Sequence, residues 1–181
     1  KKKFEGFELA EKTLGIIGVG RIGSDVSKMA KGIGMEVIGY DPVLPADKFK
    51  EYGVKQVSLE EIYSKSDYIT LHVPINEQTK NMICKETIAK MKNGVRIINC
   101  ARGGVVNEND LKEALDSGKV AGAGFDVFTK EPVESNNPLL SAQNVILTPH
   151  VGASTAEAQD NVGVMIANQL KAYVENKEII N

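Results

Sequence analysis

Short apolar runs alternate along this chain with stretches whose apolar residues recur every three or four positions. Such a pattern predicts strands and helices in turn. Leu14, Ile16 and Ile17 form the first run, dense enough for a strand buried on both faces. Helical spacing follows in Val26, Met29, Ala30 and Ile33, over residues 24–33, with Gly34 placed to cap the helix end. Val37, Ile38 and Tyr40 predict a second strand, closed by Asp41. Further strands are expected at Val54 to Val57, 68–71, 95–99, 121–126 and 145–147. Short helices are expected over 47–52, from a capping box at Ser58 and Glu61 to about residue 64, and over 86–91. Another should open at Asn107 or Asn109, run through Leu111, Ala114 and Leu115, and stop at Gly118. Ser154, Thr155, Ala156 and Glu157 read as a second capping box. It opens one long amphipathic helix through Val162, Met165, Ile166, Gln169, Leu170 and Tyr173 to about residue 175.

Strand and helix in regular alternation imply an α/β fold: a doubly wound, mostly parallel sheet of about seven strands with helices on both faces. In such sheets ligands bind at the carboxyl ends of the strands. That directs attention to His72-Val73-Pro74, Asn99-Cys100-Ala101-Arg102, Asp126 and Pro149-His150, which fall on one rim just past predicted strands.

The first predicted strand runs into Gly18-Val19-Gly20-Arg21-Ile22-Gly23, a G-x-G-x-x-G turn opening a helix. Gly18 permits the tight turn, Gly20 lets a pyrophosphate approach the backbone, and Gly23 lets helix and strand pack closely. The helix N-terminus offers N–H groups and a positive dipole end to phosphates. Asp41 stands 18 residues after Gly23, where a carboxylate can take both ribose hydroxyls. An added 2′-phosphate would meet that charge, and Pro42-Val43-Leu44 holds no basic residue to offset it. The reading is therefore NAD rather than NADP.

Composition narrows the remaining classes. The 181 residues suffice for one well-cored domain, and 42% apolar with 25% charged residues is the balance of an ordinary globular protein. A net charge of −2 gives no electrostatic case for nucleic acid or an anionic membrane. Lys1-Lys2-Lys3 reads as a solvated start. Cys84 and Cys100 form neither a metal-ligand pattern nor a disulfide framework, so no metal is expected and a reducing cytoplasm is. No apolar run reaches membrane-spanning length, and no signal peptide is visible.

The rim residues each carry two readings. Arg102 stands on a glycine-rich loop, where a guanidinium can grip a carboxylate through two parallel hydrogen bonds; alone it is a surface arginine on a turn. His150 can move a proton near neutral pH or merely cap a turn. Glu131 could support an imidazolium or be one more exposed glutamate. His72 reads as structural and Cys100 as a wall residue rather than a nucleophile. Asp126 ends a buried strand and needs a partner, either a cofactor group or a helix N-terminus.

The runs GVGRIG, YDP, NCARGGVVNENDLKEAL, GAGFDVFTKEP and NVILTPHVGAST together resemble the NAD-binding domain of the D-2-hydroxyacid dehydrogenases, over nearly the whole chain from Phe4 to Asn181. Within that family the wording is most similar to the branch that oxidises 3-phosphoglycerate. The resemblance implies a Rossmann-type fold, NAD as cofactor, and hydride transfer between a small 2-hydroxy acid and its 2-keto acid. It implies Arg102, Glu131 and His150 as catalytic residues: Arg102 for the substrate carboxylate and carbonyl, His150 as acid/base, and Glu131 as its hydrogen-bonding partner. It implies a cofactor site at Gly18, Gly20, Arg21, Ile22, Gly23, Asp41, Val73, Cys100, Ala101, Arg102, Asp126, His150, Gly152 and Ala153. It further implies that residues 1–181 form one NAD-binding domain, with the substrate-binding and any regulatory domain absent, and a homodimer is expected through this domain. The alternatives are a glyoxylate/hydroxypyruvate or D-lactate type dehydrogenase, an NAD-responsive binding module without catalysis, and an excised fragment.

Overall fold

The computed structural model of the protein describes residues 6–180. The basic start at Lys1-Lys2-Lys3 lies outside the described residues. The chain divides into two compact units, residues 1–149 and 150–181.

The first unit holds a seven-stranded sheet in which every pairing is parallel. The strands are β1 (Thr13–Ile17), β2 (Glu36–Tyr40), β3 (Lys55–Gln56), β4 (Tyr68–Leu71), β5 (Val95–Asn99), β6 (Val120–Phe125) and β7 (Val145–Leu147). Their order is β3-β2-β1-β4-β5-β6-β7. The direction of winding therefore reverses between β1 and β4, the switch point at which open α/β sheets form a crevice. The helices are α1 (Arg21–Gly32), α2 (Ala46–Glu51), α3 (Leu59–Lys65), α4 (Lys85–Ala89) and α5 (Glu108–Asp116), and a 3-10 turn covers Pro138–Ser141.

Two apolar clusters, one on each face, hold the sheet. Leu14, Ile16 and Val37 point to the cluster that Ala30 of α1 and Phe49 of α2 complete. Ile17, Ile38, Ile69, Leu71 and Ile97 point to the other, with Ile62, Ile88 and Leu111 from α3, α4 and α5. Ile16, Ile17, Ile69, Leu71 and Ile97 are fully buried, each worth about 1.5–3 kcal/mol against exposure. The apolar runs thus end up as central strands covered on both sides.

Local signals account for most boundaries. Ser58 and Glu61 form the expected reciprocal capping box on α3. Asn107, not Asn109, caps α5, its side chain accepting from the N–H groups of Asn109 and Asp110. Gly34 and Gly118 take positive φ just beyond α1 and α5, a conformation open to glycine at little cost.

The second unit holds α6 (Ala156–Asn176). Its start corrects the sequence reading. Thr155 rather than Ser154 is the N-cap, its hydroxyl accepting from Ala158 N–H at 3.1 Å. The shift of one residue moves Glu157 off the N3 position, so no capping box forms. The apolar stripe of α6 (Val162, Met165, Ile166, Leu170 and Tyr173) is exposed. Among the described residues no helix is long and apolar enough to cross a membrane.

Candidate functional site

A parallel sheet puts every strand's carboxyl end on the same rim, so the residues that follow β1, β2, β4, β5 and β6 converge by topology rather than by sequence. At β1 the chain leaves Ile17 into Gly18, whose φ of 93° is a left-handed value. A Cβ there would sit 2.5 Å from the His72 carbonyl oxygen beyond β4. A Cβ on Gly23 would sit 2.1 Å from the Gly18 oxygen, so the turn closes on itself only without one. Gly20 differs: a Cβ there would meet nothing within 4 Å. The fold requires the first and third glycines, whereas the middle one leaves room for something outside the chain.

Helix α1 starts at that gap. Gly20 is its N-cap, no side chain caps it, and its first turn holds no acid. The first amide to find its acceptor within the helix is Ser24 N–H, on the Gly20 oxygen at 2.9 Å. An anion at this end would meet the amides of the first turn and the positive end of the dipole.

Asp41 closes the other side of the turn. Its Oδ2 accepts from Val19 N–H at 3.0 Å, and its Oδ1 accepts from Val43 N–H at 2.9 Å and Leu44 N–H at 3.1 Å. Gly18 N–H also donates to the Tyr40 oxygen at 2.8 Å. The end of β2 is therefore tied to the glycine turn before any ligand arrives, a job of Asp41 that its spacing alone did not show. An uncapped helix start, an open space above Gly20 and a carboxylate beside them are the features a dinucleotide's pyrophosphate and adenosine ribose call for. The residues present fit NAD.

Farther along the rim, Val73 and Ala101 are buried and Cys100 is an exposed residue. Enclosure of the thiol itself, and then the nearby Asp126 carboxylate, push Cys100 above the usual thiol range. That environment suits a wall and not a nucleophile. Asp126 is buried just past β6, and its Oδ1 accepts from the Thr148 hydroxyl at 2.5 Å. A threonine beyond β7 was not among the partners its sequence position suggested. His72 is half-buried, with its Nε2 3.0 Å from the Thr70 hydroxyl, and burial holds its pKa below the ordinary imidazole value.

Arg102 is exposed, with its Nη1 2.6 Å from the Ala101 carbonyl oxygen. Glu131 accepts from Phe128 N–H at 3.0 Å through Oε1. These two residues belong to adjacent loops, because a Cβ on Gly103 would sit 1.8 Å from the Phe128 carbonyl oxygen. Sequence reasoning placed Asn99 on the rim but gave it no role; it is 1% exposed at the end of β5 and hydrogen-bonded to the arginine loop. A buried amide at a strand end always needs partners, and that was the available signal. In the second unit His150 is exposed and holds a left-handed φ of 57°, uncommon for a residue with a side chain. Gly152 and Ala153 follow it, also exposed. Among the described residues no three His, Cys, Asp or Glu side chains group to hold a metal ion.

The family model of the D-isomer specific 2-hydroxyacid dehydrogenase NAD-binding domain matches residues 1–152. The chain is 50% identical over 178 residues to D-3-phosphoglycerate dehydrogenase of Methanocaldococcus jannaschii, covering 98% of this chain and 34% of that protein. It is 47% identical to the human D-3-phosphoglycerate dehydrogenase over 179 residues, 99% of this chain and 33% of that protein. The chain thus spans about a third of the length of these curated relatives. Among solved structures, a glyoxylate reductase from Paecilomyes thermophila superposes with a TM-score of 0.89 at 36% identity, over 97% of this chain and 53% of that one. A D-lactate dehydrogenase from Aquifex aeolicus, complexed with NAD and lactic acid, superposes with a TM-score of 0.84 at 37% identity, over 96% of this chain and 56% of that one. With its all-parallel sheet, glycine turn and acid at the end of β2, the chain belongs to the D-isomer specific 2-hydroxyacid dehydrogenase family, as its NAD-binding domain.

Proposed function

We propose that this domain serves an NAD-dependent dehydrogenase of D-2-hydroxy acids, and that the hydroxy acid is 3-phosphoglycerate, oxidised to 3-phosphohydroxypyruvate in serine biosynthesis. The observation that carries the reading is the glycine turn with its open middle position, closed by Asp41. The choice of 3-phosphoglycerate rests on the 50% identity to a D-3-phosphoglycerate dehydrogenase.

NAD, when bound, supplies the hydride acceptor. The chain supplies groups that hold the cofactor and polarise the reacting atoms. Gly18, Gly20, Arg21, Ile22 and Gly23 receive the pyrophosphate, and Asp41 receives the adenosine ribose through the remaining lone pairs of its carboxylate. Val73, Cys100, Ala101 and Asp126 line the rest of the cofactor site, with Gly152 and Ala153 bordering it. Arg102 takes the substrate carboxylate in a two-pronged grip. Oxidation of a C2 hydroxyl releases a proton from its oxygen; His150 accepts it, and returns it in the reverse direction. Glu131 provides the carboxylate that keeps the imidazolium favourable.

The proposal includes a cytoplasmic setting, which the two free cysteines support, and a homodimer, which the exposed apolar stripe of α6 supports. Glyoxylate or D-lactate is the second choice of substrate class, favoured by the two solved structures of similar fold.

Calorimetric titration of this chain with NAD and NADP tests the cofactor half. NAD should bind at least about tenfold more tightly than NADP, a difference of about 1.4 kcal/mol. A folded chain that binds neither, or prefers NADP, contradicts it. Turnover of 3-phosphoglycerate, D-lactate and glycolate, followed by nicotinamide absorbance after joining the domain to the substrate-binding segment of the Methanocaldococcus relative, tests the substrate half. Arg102→Ala and His150→Ala should each abolish most of that turnover.

A further inference from the structure

Asn99 is the last residue of β5, and its side chain is almost wholly buried. Three of its polar groups meet neighbouring backbone. Its Oδ1 accepts from Ala101 N–H at 3.1 Å, its Nδ2 donates to the Arg102 carbonyl oxygen at 3.0 Å, and its own carbonyl oxygen accepts from Asp126 N–H at 3.0 Å. The side-chain amide therefore grips the loop on both sides of the Ala101–Arg102 peptide, while the backbone carbonyl of the same residue ties the end of β5 to the start of the segment after β6.

The same loop is held from the other side. Gly103 lies so close to the Phe128 carbonyl that no side chain fits there. Phe128 in turn donates its N–H to Glu131. Thr129 N–H and its hydroxyl are tied to Glu108 Oε1, at 2.7 Å and 2.9 Å, so this second segment is anchored to α5. The Arg102 backbone is thus clamped between Asn99 and a wall of fixed backbone. The exposed guanidinium lies outside that clamp, with its Nη1 resting on the Ala101 carbonyl oxygen of the same loop at 2.6 Å.

We propose that Asn99 is the positioning residue of the substrate-carboxylate site: it sets the direction of Arg102 without touching the ligand. This rests on the reading of Arg102 as the carboxylate grip. A two-pronged hydrogen bond to a carboxylate depends on orientation, so a loop displaced by an ångström loses much of it. The amide is the side chain suited to this place, because it presents an acceptor to an N–H and a donor to a C=O at once. Asn99→Asp keeps the acceptor but turns an oxygen toward the Arg102 carbonyl. Asn99→Ala removes both bonds.

The test uses the NAD-loaded chain, with oxalate as the carboxylate probe. Two readouts are recorded: the Arg102 Nε–H resonance as oxalate is added, and hydrogen exchange of the Ala101 amide without it. Asn99→Ala should speed Ala101 exchange and weaken oxalate by about tenfold, with Asn99→Asp between it and the parent. In an Arg102→Ala background the Asn99 change should have no further effect on oxalate, which a merely structural role would not produce. Ala101 exchange left unchanged by either Asn99 variant overturns the proposal. So does an oxalate affinity that falls equally with and without Arg102. Oxalate binding that ignores Arg102→Ala overturns instead the reading of Arg102 on which it rests. Should Asn99→Ala fail to fold, Asn99→Asp carries both readouts.

Discussion

Asp41 Oδ2 accepts a hydrogen bond from Val19 N–H at 3.0 Å, so the acid ending β2 is built into the glycine turn that follows β1. Its other oxygen takes the N–H groups of Val43 and Leu44. An amide in this place must turn its NH2 toward at least one backbone donor. Asp41→Asn is therefore expected to destabilise the chain without any cofactor, by about 1–3 kcal/mol, the range for a lost charge-assisted bond. NAD should weaken at the same time, and its advantage over NADP should shrink. Urea unfolding checks the first effect and calorimetry the second. Unchanged stability with weakened NAD would leave Asp41 a ligand-binding group only.

The three glycines of the turn separate fold from binding. A Cβ on Gly23 would lie 2.1 Å from the Gly18 oxygen, and backbone cannot yield there as a side chain can. Gly23→Ala should cost about 1–3 kcal/mol of stability, as overpacking does. Gly20 has a φ of −72° and open space beyond its Cα, so alanine is tolerated by the fold. Gly20→Ala should leave the melting temperature at or a few degrees above that of the parent, since alanine meets neither strain nor contact there and narrows the unfolded ensemble by about 0.4–1 kcal/mol. It should nevertheless weaken NAD by about tenfold or more, because the new methyl stands where the pyrophosphate approaches. Thermal melts beside NAD titrations of both variants decide the matter. A Gly20→Ala chain with parental affinity would remove the pyrophosphate from this turn.

What was legible in the sequence was what backbone geometry dictates locally. The glycine turn, the Ser58 cap and the apolar strands have one-dimensional signatures, and each appears in the structure within a residue or two. The differences lie where a helix starts or a turn is short: α1 begins at Arg21, inside the glycine turn, rather than at residue 24. Thr155 won the cap of α6 over Ser154 because both carry a hydroxyl, and only the path of the chain chooses between them. The 3-10 turn Pro138–Ser141 passed unnoticed in a loop rich in asparagine and proline, since four residues give no period to read. In the first unit the residues that follow β1, β2, β4, β5 and β6 were readable from strand ends, because the parallel topology gathers them. What held those residues was not. Thr148 on Asp126, Asn99 on the arginine loop and Phe128 against Gly103 are contacts across 22, 3 and 25 positions of chain, and the longer two are set by the winding of the sheet.

His72 gives the chain a pH dependence with a definite sign. Burial holds its folded pKa below the ordinary imidazole value, near 6.5 in an unfolded chain. The unfolded chain thus binds the extra proton first. Stability from keeping His72 neutral is fully present above about pH 6.5 and is lost as pH falls toward the folded value. Unfolding free energies measured from about pH 7.5 down to about pH 5.5 should decline with falling pH. The same series on His72→Gln should be flatter over that interval. Equal slopes for the two chains would assign the decline to other groups.

Ser66 offers the opposite case, a polar group the fold would be better without. Its hydroxyl is fully buried and has no hydrogen-bond partner among the described residues. It fills the space above Gly15 of β1, where a Cβ would lie only 2.1 Å from its oxygen. A buried unpaired hydroxyl costs about 1–3 kcal/mol in desolvation, while the atom still contributes some packing. Ser66→Ala is therefore expected to stabilise the chain by about 0.5–1 kcal/mol, raising its melting temperature by about 1–4 °C at this length. Gly15→Ala alone should destabilise it, and Ser66→Ala should recover part of that loss, because the clashing oxygen is then gone. Calorimetric melts of the two single variants and the double variant test the coupling. A destabilised Ser66→Ala chain would mean that the hydroxyl finds a hydrogen-bond partner in solution.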